Sequence, residues 1–177
     1  MRKVIVTEFI SADGIAEVEK LTGVAWNAEM DRFKEDELAD SGAMLLGRVT
    51  YQIFAASWPH ETGDFADRFN VLPKYVASTT LGQLDWKPAQ RLEGPLPEAV
   101  RKLKQDTGGN IYVHGSISLA QQLLHHGLVD RIRLLGYPLA VGQGKAFFAP
   151  GEQQRFELLS AAPFSNGVVA LEYAPIT

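Results

Sequence analysis

The chain has 177 residues, of which 46% are hydrophobic and 21% charged, a length and composition typical of one globular domain with its own core. A net charge of −4 gives no overall basic field for nucleic acid, and the absence of cysteine excludes disulfides, a thiol nucleophile and cysteine-ligated zinc. No apolar stretch approaches the roughly 20 residues that span a bilayer, and the apolar N-terminal run is too short for a signal peptide, so we expect a cytoplasmic protein.

The first elements are a strand over residues 4–10 and a helix over residues 28–40. The strand runs into the loop Ser-Ala-Asp-Gly at residues 11–14, where open α/β sheets place ligands, although an Asp-Gly pair alone is more often a simple turn. In the helix, Met30, Phe33 and Leu38 share an apolar face. The acidic run at residues 35–37 is predicted to be solvated.

Next come two strands, over residues 43–46 and 74–78, separated by a helix over 50–56 and a polar excursion over 59–70 that holds a short helix. Arg48 follows the first of these strands. It is either an ordinary surface arginine or an arginine whose planar guanidinium group binds phosphate oxygens. Ser78 and Thr79 end the second strand, where hydroxyls bind a phosphate or simply form a turn. Residues 81–92 are predicted as loop.

The stretch over residues 110–148 organises the rest of the chain. A strand over 111–113, a tight turn at 114–116, a helix ending before Gly127 and a strand over 128–135 follow one another. A glycine-containing turn that opens a helix beside a strand end favours anions, and Ser116 or Ser118 is expected to cap the helix. Gly115 is expected to have an ordinary backbone angle. The pattern alone is more often that of a plain strand–helix turn.

A hairpin ends the chain, with strands over residues 155–161 and 168–173, and Phe147 and Phe148 are predicted to be core. The predicted fold class is therefore α/β, with a mixed, mostly parallel sheet flanked by helices and a C-terminal antiparallel hairpin.

Three stretches, in this order along the chain, resemble a known family. They are SADG at residues 11–14, LLGRVTY at 45–51 and HGSISLAQQLLHHGLVDRIRLLGYPLAVGQGKAFF at 114–148. Together they resemble the reductase domain of riboflavin biosynthesis, within the dihydrofolate reductase-like superfamily. The match spans nearly the whole chain and implies one domain over residues 1–177. It is nearest to the stand-alone bacterial members.

The resemblance implies an NADPH-dependent reductase that transfers a hydride to a small planar heterocycle, pterin-like or pyrimidine-like, in a homodimer. Asp13, after the first strand, is the first candidate for the polar contact to substrate, and Glu29, in the first helical turn, is the second. The expected cofactor-binding residues are Gly47, Arg48, Thr50, Ser78, Thr79, Gly115, Ser116 and Ile117. The expected substrate-binding residues are Tyr51, Trp58, His114 and Tyr137. No metal site is expected, because the four histidines lack ligand spacing.

One departure from the family pattern concerns the substrate. His114 stands where the riboflavin-pathway reductase has a glutamate before the glycines of the turn, and an imidazole is not an acceptor-only carboxylate. Two alternatives stay open. One is the 5-amino-6-(5-phosphoribosylamino)uracil reductase of riboflavin biosynthesis, and the other is a non-catalytic nucleotide-binding protein.

Overall fold

The computed structural model describes residues 1–151 and 153–176, and its frame is one sheet. The strands are β1 (Val4–Ser11), β2 (Ser41–Gly47), β3 (Lys74–Ala77), β4 (Ala89–Arg91), β5 (Asn110–His114), β6 (Arg131–Tyr137), β7 (Phe156–Pro163) and β8 (Val169–Pro175). In the described part of the chain they form an eight-stranded sheet in the order β4-β3-β2-β5-β1-β6-β8-β7. Strands β1 to β6 are parallel, whereas β8 runs antiparallel to β6 and β7. The predicted fold class is confirmed.

The helices flank this sheet. They are α1 (Ala28–Asp40), α2 (Arg48–Ser57), α3 (Asp64–Val71), α4 (Leu96–Gln105) and α5 (Ile117–His125), with 3-10 turns at Val18–Lys20 and Trp58–His60. Helix α1 begins where predicted because the Asn27 side chain accepts hydrogen bonds from the amides of Glu29 and Met30. No helix among the described residues is long and apolar enough to cross a membrane.

Strand β1 lies at the centre of the sheet, between β5 and β6. Its side chains alternate between the two faces. Val4 and Val6 join a fully buried cluster with residues of α4 and α5, whereas Thr7 contacts α1. The strand order reverses at β1, and open α/β sheets bind ligands beyond the carboxyl ends of the strands at such a point.

Four local predictions are wrong. Glu37 is buried, with 1% exposed, because it follows Phe33 by one helical turn and so lies on the inner face of α1. The short strand β4 lies within the predicted loop. The strand predicted over 128–135 begins at Arg131, because Leu128 and Val129 are buried without joining the ladder. Phe147 is core, but Phe148 is 38% exposed.

Candidate active site

The turns that follow β2 and β5 touch each other. The Ser116 hydroxyl accepts a hydrogen bond from the Gly47 amide at 2.9 Å and donates one to the Thr50 hydroxyl at 2.8 Å. The approach is so close that a Cβ on Gly47 would lie 3.2 Å from the Ser116 oxygen. The N-termini of α2 and α5 are therefore neighbours, and each presents amides without partners inside its own helix.

The backbone of the turn after β5 is unusual. Gly115 has φ +57° and Ser116 has φ 60°, both in the left-handed region. The expected ordinary angle of Gly115 is therefore wrong, because two successive left-handed residues are what turns the chain from the strand into α5. Ser116 occupies the N-cap position, yet its hydroxyl does not cap α5. The oxygen is used instead to hold the neighbouring turn.

A third strand end lies beside these two. Gly47 pairs with Ala77 in the β2–β3 ladder, so Ser78 follows next to Arg48. The Ser78 hydroxyl accepts from the amides of Thr80 and Leu81, at 3.3 and 3.0 Å. Arg48 is exposed and donates to the Gln52 side chain at 3.1 Å. All eight predicted cofactor residues lie at the carboxyl ends of β3, β2 and β5.

This arrangement fits a dinucleotide. Two adjacent helix starts favour a diphosphate, Gly115 has no side chain to obstruct its approach, and hydroxyls with an exposed guanidinium suit an additional phosphate. Ile117 contributes only backbone here, because its side chain packs on the core. Among the described residues, no cluster of three or more histidine, aspartate and glutamate side chains suits a metal ion.

A cavity of about 650 Å³ adjoins these turns. Its walls come from α1, from α2 and α3, from the ends of β1 and β5, and from the loop before α1. Its aromatic lining consists of Phe9, Trp26, Phe54, Trp58, Phe65 and Phe69. His114 and Gly115 also line it, so the cavity meets the turn after β5. A wall of aromatic rings suits a flat apolar ligand.

The charged groups on the α1 side of the cavity neutralise one another. Lys34 donates to Glu37 and to the Thr7 hydroxyl, both at 2.9 Å, and Thr7 donates to the other oxygen of Glu37 at 2.7 Å. The Arg133 guanidinium lies 3.7 Å from that carboxylate. The Lys34 ammonium also lies 4.7 Å from the centre of the Phe9 ring.

Burial shifts the pKa values of two further cavity residues toward their neutral forms. Burial raises the pKa of Glu8 to about 7, against a smaller lowering by the Phe9 amide and the Lys34 charge. Burial likewise lowers the pKa of His114 to about 3, and the Lys34 charge adds to this shift. The His114 ring packs 5.3 Å from the centre of Phe69, and its Nε2 has no partner among the described residues.

The two predicted catalytic acids lie away from the cavity lining. Asp13 accepts from the Ser11 hydroxyl and from the amides of Val141 and Gly142, and these three hydrogen bonds lower the pKa of its exposed carboxyl to about 2. Glu29 accepts from the amide and hydroxyl of Ser165, which lowers its pKa, and so ties α1 to the hairpin loop. Their catalytic roles stay predictions.

The four predicted substrate residues divide into two pairs. Trp58 and His114 line the cavity. Tyr51 is buried in the core, where its hydroxyl accepts from the Trp86 amide at 2.9 Å. Tyr137 is also buried, with its ring edge-on to Phe9 at 6.1 Å, so it supports a lining residue from behind.

Sequence reasoning missed Glu8, Lys34 and Glu37. The signal for Glu8 was a carboxylate inside an otherwise apolar central strand, a position that normally excludes charge. The signal for Lys34 and Glu37 was their spacing from Met30, Phe33 and Leu38, which continues the buried stripe of α1.

The sequence matches the model of the RibD C-terminal domain over residues 2–170. A relative with similarity along the full length is the protein YyaP of Bacillus subtilis (strain 168). It is 28% identical over 179 residues, which cover 97% of this chain and 94% of that protein.

Solved structures share the fold. A putative riboflavin biosynthesis protein from Shewanella sp. PV-4 superposes with a TM-score of 0.79 at 17% identity, covering 99% of both chains. A pyrimidine reductase-like protein from Corynebacterium diphtheriae gives 0.66 at 15% identity, covering 99% of this chain and 92% of that one. RibD of Acinetobacter baumannii gives 0.67 at 17% identity, covering 99% of this chain and 58% of that one. The fold is dihydrofolate reductase-like.

Proposed function

Because the chain belongs to the RibD C-terminal domain family, we propose that it is an NADPH-dependent reductase of an uncharged, planar heterocycle. The family supports an oxidoreductase of the riboflavin-pathway type, and its reductases use NADPH. The cofactor and the substrate class are the proposed part.

The observation that carries the proposal is the position of the aromatic cavity. The cavity is lined by Gly115, which belongs to one of the turns predicted to bind the dinucleotide. A ring in the cavity would therefore lie next to the predicted cofactor-binding surface. NADPH, when bound, supplies the hydride. The chain's part is to hold the dinucleotide on Gly47–Thr50 and Gly115–Ile117, to exclude water with the aromatic walls, and to orient the acceptor ring against the turn.

The cavity favours an uncharged acceptor over a phosphoribosyl compound. Among its described lining residues Lys34 is the only lysine or arginine, and its ammonium is engaged by Glu37 and Thr7. A ribose phosphate would enter this apolar space without a counter-charge. His114 also favours an uncharged acceptor, since its neutral imidazole occupies the position at which the family pattern has a glutamate.

The direct test is titration of NADPH and NADH by fluorescence into the wild type, Arg48→Ala and the control Arg101→Ala, which changes an exposed arginine on α4. We expect the wild type to prefer NADPH, and Arg48→Ala to lose about 1.5–3 kcal/mol for NADPH alone, the scale of a charged hydrogen bond. Equal affinities in the wild type would contradict a site at Arg48 for the additional phosphate that distinguishes NADPH from NADH. NADPH oxidation against a panel of pterins and pyrimidines then identifies the acceptor.

The second candidate, the riboflavin-pathway reductase itself, is favoured by family membership. Expression of the chain in a strain that lacks that enzyme separates the two. We expect no growth without riboflavin, and growth would instead assign the phosphoribosylamino-pyrimidine as substrate.

The proposal includes a cytoplasmic homodimer. Strand β7 is the outer strand of the sheet, and its Leu158 is 54% exposed. An exposed apolar edge strand is a surface suited to pairing with a partner. Light scattering during size-exclusion chromatography gives the mass directly, and a monomeric mass would contradict the dimer.

A further inference from the structure

Glu8 is a buried acid with one oxygen unused. It is 6% exposed, in the central strand β1. Its Oε1 accepts a hydrogen bond from the Phe9 amide at 3.1 Å, whereas Oε2 is enclosed and has no partner among the described residues. Glu8 lines the aromatic cavity together with Gly115. A carboxyl oxygen without a partner in an apolar space carries a large cost unless the group is neutral or meets a ligand.

We propose that Glu8 is the catalytic acid of the reduction, and that its protonated Oε2 donates to the ring heteroatom of the bound acceptor. This role rests on the proposed reductase function. It also adds to the substrate class, since the acceptor must present a basic nitrogen or a carbonyl oxygen toward Glu8.

The other acids near the cavity are unsuited to this role. Both oxygens of Glu37 are occupied, by Thr7 and Lys34. Asp31 accepts from the Trp26 indole, and Glu35 pairs with an exposed arginine of α3. Glu8 thus has the only enclosed carboxyl oxygen without a partner among the described carboxylates that line the cavity.

The protonation state agrees with this geometry. Burial raises the pKa of Glu8 to about 7, so a substantial fraction carries the proton at neutral pH. The charged groups that line the cavity are Asp31, Lys34, Glu35 and Glu37 from α1. Of these charges, that of Lys34 lowers the pKa of Glu8, by less than the Phe9 amide does. His114 from β5 is neutral over the same range, because its pKa is about 3.

The step balances as a two-electron reduction of a C=N or C=O group. NADPH, when bound, would supply the hydride to the ring carbon, and the π pair of the double bond would move to the heteroatom. That heteroatom takes the proton of Glu8. The substrate gains one hydride and one proton, NADPH becomes NADP⁺, and the Glu8 carboxylate is reprotonated from solvent before the next turnover.

The first test needs no substrate. Protein labelled with ¹³C at the glutamate carboxyl carbon is titrated by NMR, as the wild type, Glu8→Gln and the control Glu93→Gln, which changes an exposed loop glutamate. We expect a resonance with a midpoint near 7 that is lost only in Glu8→Gln. A Glu8 midpoint near 4.5 would overturn the proposal, because such an acid is ionised at neutral pH.

The second test uses the panel compound that the wild type reduces. We expect Glu8→Gln to bind NADPH within twofold of the wild type but to lower kcat by about 10²–10⁴-fold, and to lose the fall in rate that the wild type shows as pH rises through 7. Glu8→Asp keeps the acid and should retain that pH limb at a reduced rate. NADPH binding with undiminished turnover in Glu8→Gln would overturn the role of Glu8 alone. A wild type that does not bind NADPH would overturn the reductase, and this role with it.

Discussion

The bridge made by Ser116 gives the sharpest test of the site's architecture. Its hydroxyl makes two hydrogen bonds, to Gly47 and Thr50, while its backbone is in the left-handed region at φ 60°. Replacing Ser116 by alanine removes both bonds and keeps the backbone strain. Replacing it by glycine removes the same bonds but also relieves the strain.

The expected magnitudes follow from these two contributions. Each hydrogen bond stabilises by about 0.5–1.5 kcal/mol, so Ser116→Ala should lower the free energy of unfolding by about 2 kcal/mol. A left-handed backbone costs a residue with a Cβ about 1–2 kcal/mol, and the greater chain entropy of glycine offsets about 0.5–1 kcal/mol of the relief. Ser116→Gly should therefore be less destabilised than Ser116→Ala, by about 0.5–1 kcal/mol.

Urea unfolding measures the difference. With a slope of about 2 kcal/mol per molar, Ser116→Ala should shift the midpoint down by about 1 M and Ser116→Gly by roughly half to three quarters of that. Ser118→Ala, on the exposed side of the same helical turn, is the control and should stay within about 0.5 kcal/mol of wild type. If Ser116→Gly is no more stable than Ser116→Ala, the left-handed backbone angle of Ser116 is refuted. If both variants unfold at the wild-type midpoint, the two hydrogen bonds of the Ser116 hydroxyl are refuted.

Three other changes test the charged groups. Glu37→Met removes a buried carboxylate and leaves the partly buried Lys34 ammonium without its counter-ion, which should cost about 3 kcal/mol in unfolding free energy. The double change with Lys34→Met should restore most of this loss, and an additive double variant would contradict the pairing. His114 has a folded pKa of about 3, below its ordinary 6.5, so wild-type stability should fall as pH drops from 6.5 toward 3. In thermal melts, the melting temperature of His114→Phe should fall less than that of the wild type over this pH range. Asp13 has a folded pKa of about 2, below its ordinary 3.8, so Asp13→Asn should be less stable than wild type at pH 7. This difference in stability should disappear as pH falls from 4 to 2. A difference that does not change with pH would mean that the carboxylate charge does not stabilise the loop.

The local pattern of the sequence was sufficient to predict most of the frame. Helix α1 was placed to the residue, since Met30, Phe33 and Leu38 fall on one face of a helix of thirteen residues. Strand β4 was missed because its three residues, Ala89–Arg91, are mostly exposed and carry no alternation. A strand this short is stabilised by its pairing with β3, which local sequence does not encode.

The site was harder to predict, because its residues come together only through the sheet order. The turns at Gly47 and Gly115 were singled out as candidates, since glycine beside a strand end indicates a turn or a close backbone approach. Glu8 and Glu37 were overlooked, because both are buried by tertiary packing that the local sequence does not encode. A carboxylate at a core-facing position indicates a candidate site residue, because a buried charge must be either neutralised or paired with another group.

The ion pair between Lys34 and Glu37 bears on which class of ligand the cavity selects. The positive charge that a phosphorylated compound requires is already present in the wall, but a carboxylate of the chain occupies it. A Glu37→Gln exchange would leave the ammonium unneutralised beside the aromatic rings, at a cost in stability, and any anionic group of a ligand would take the vacated position. For the proposed reductase, we therefore predict that one side-chain charge separates selectivity for neutral compounds from selectivity for anionic ones, with no new basic residue required.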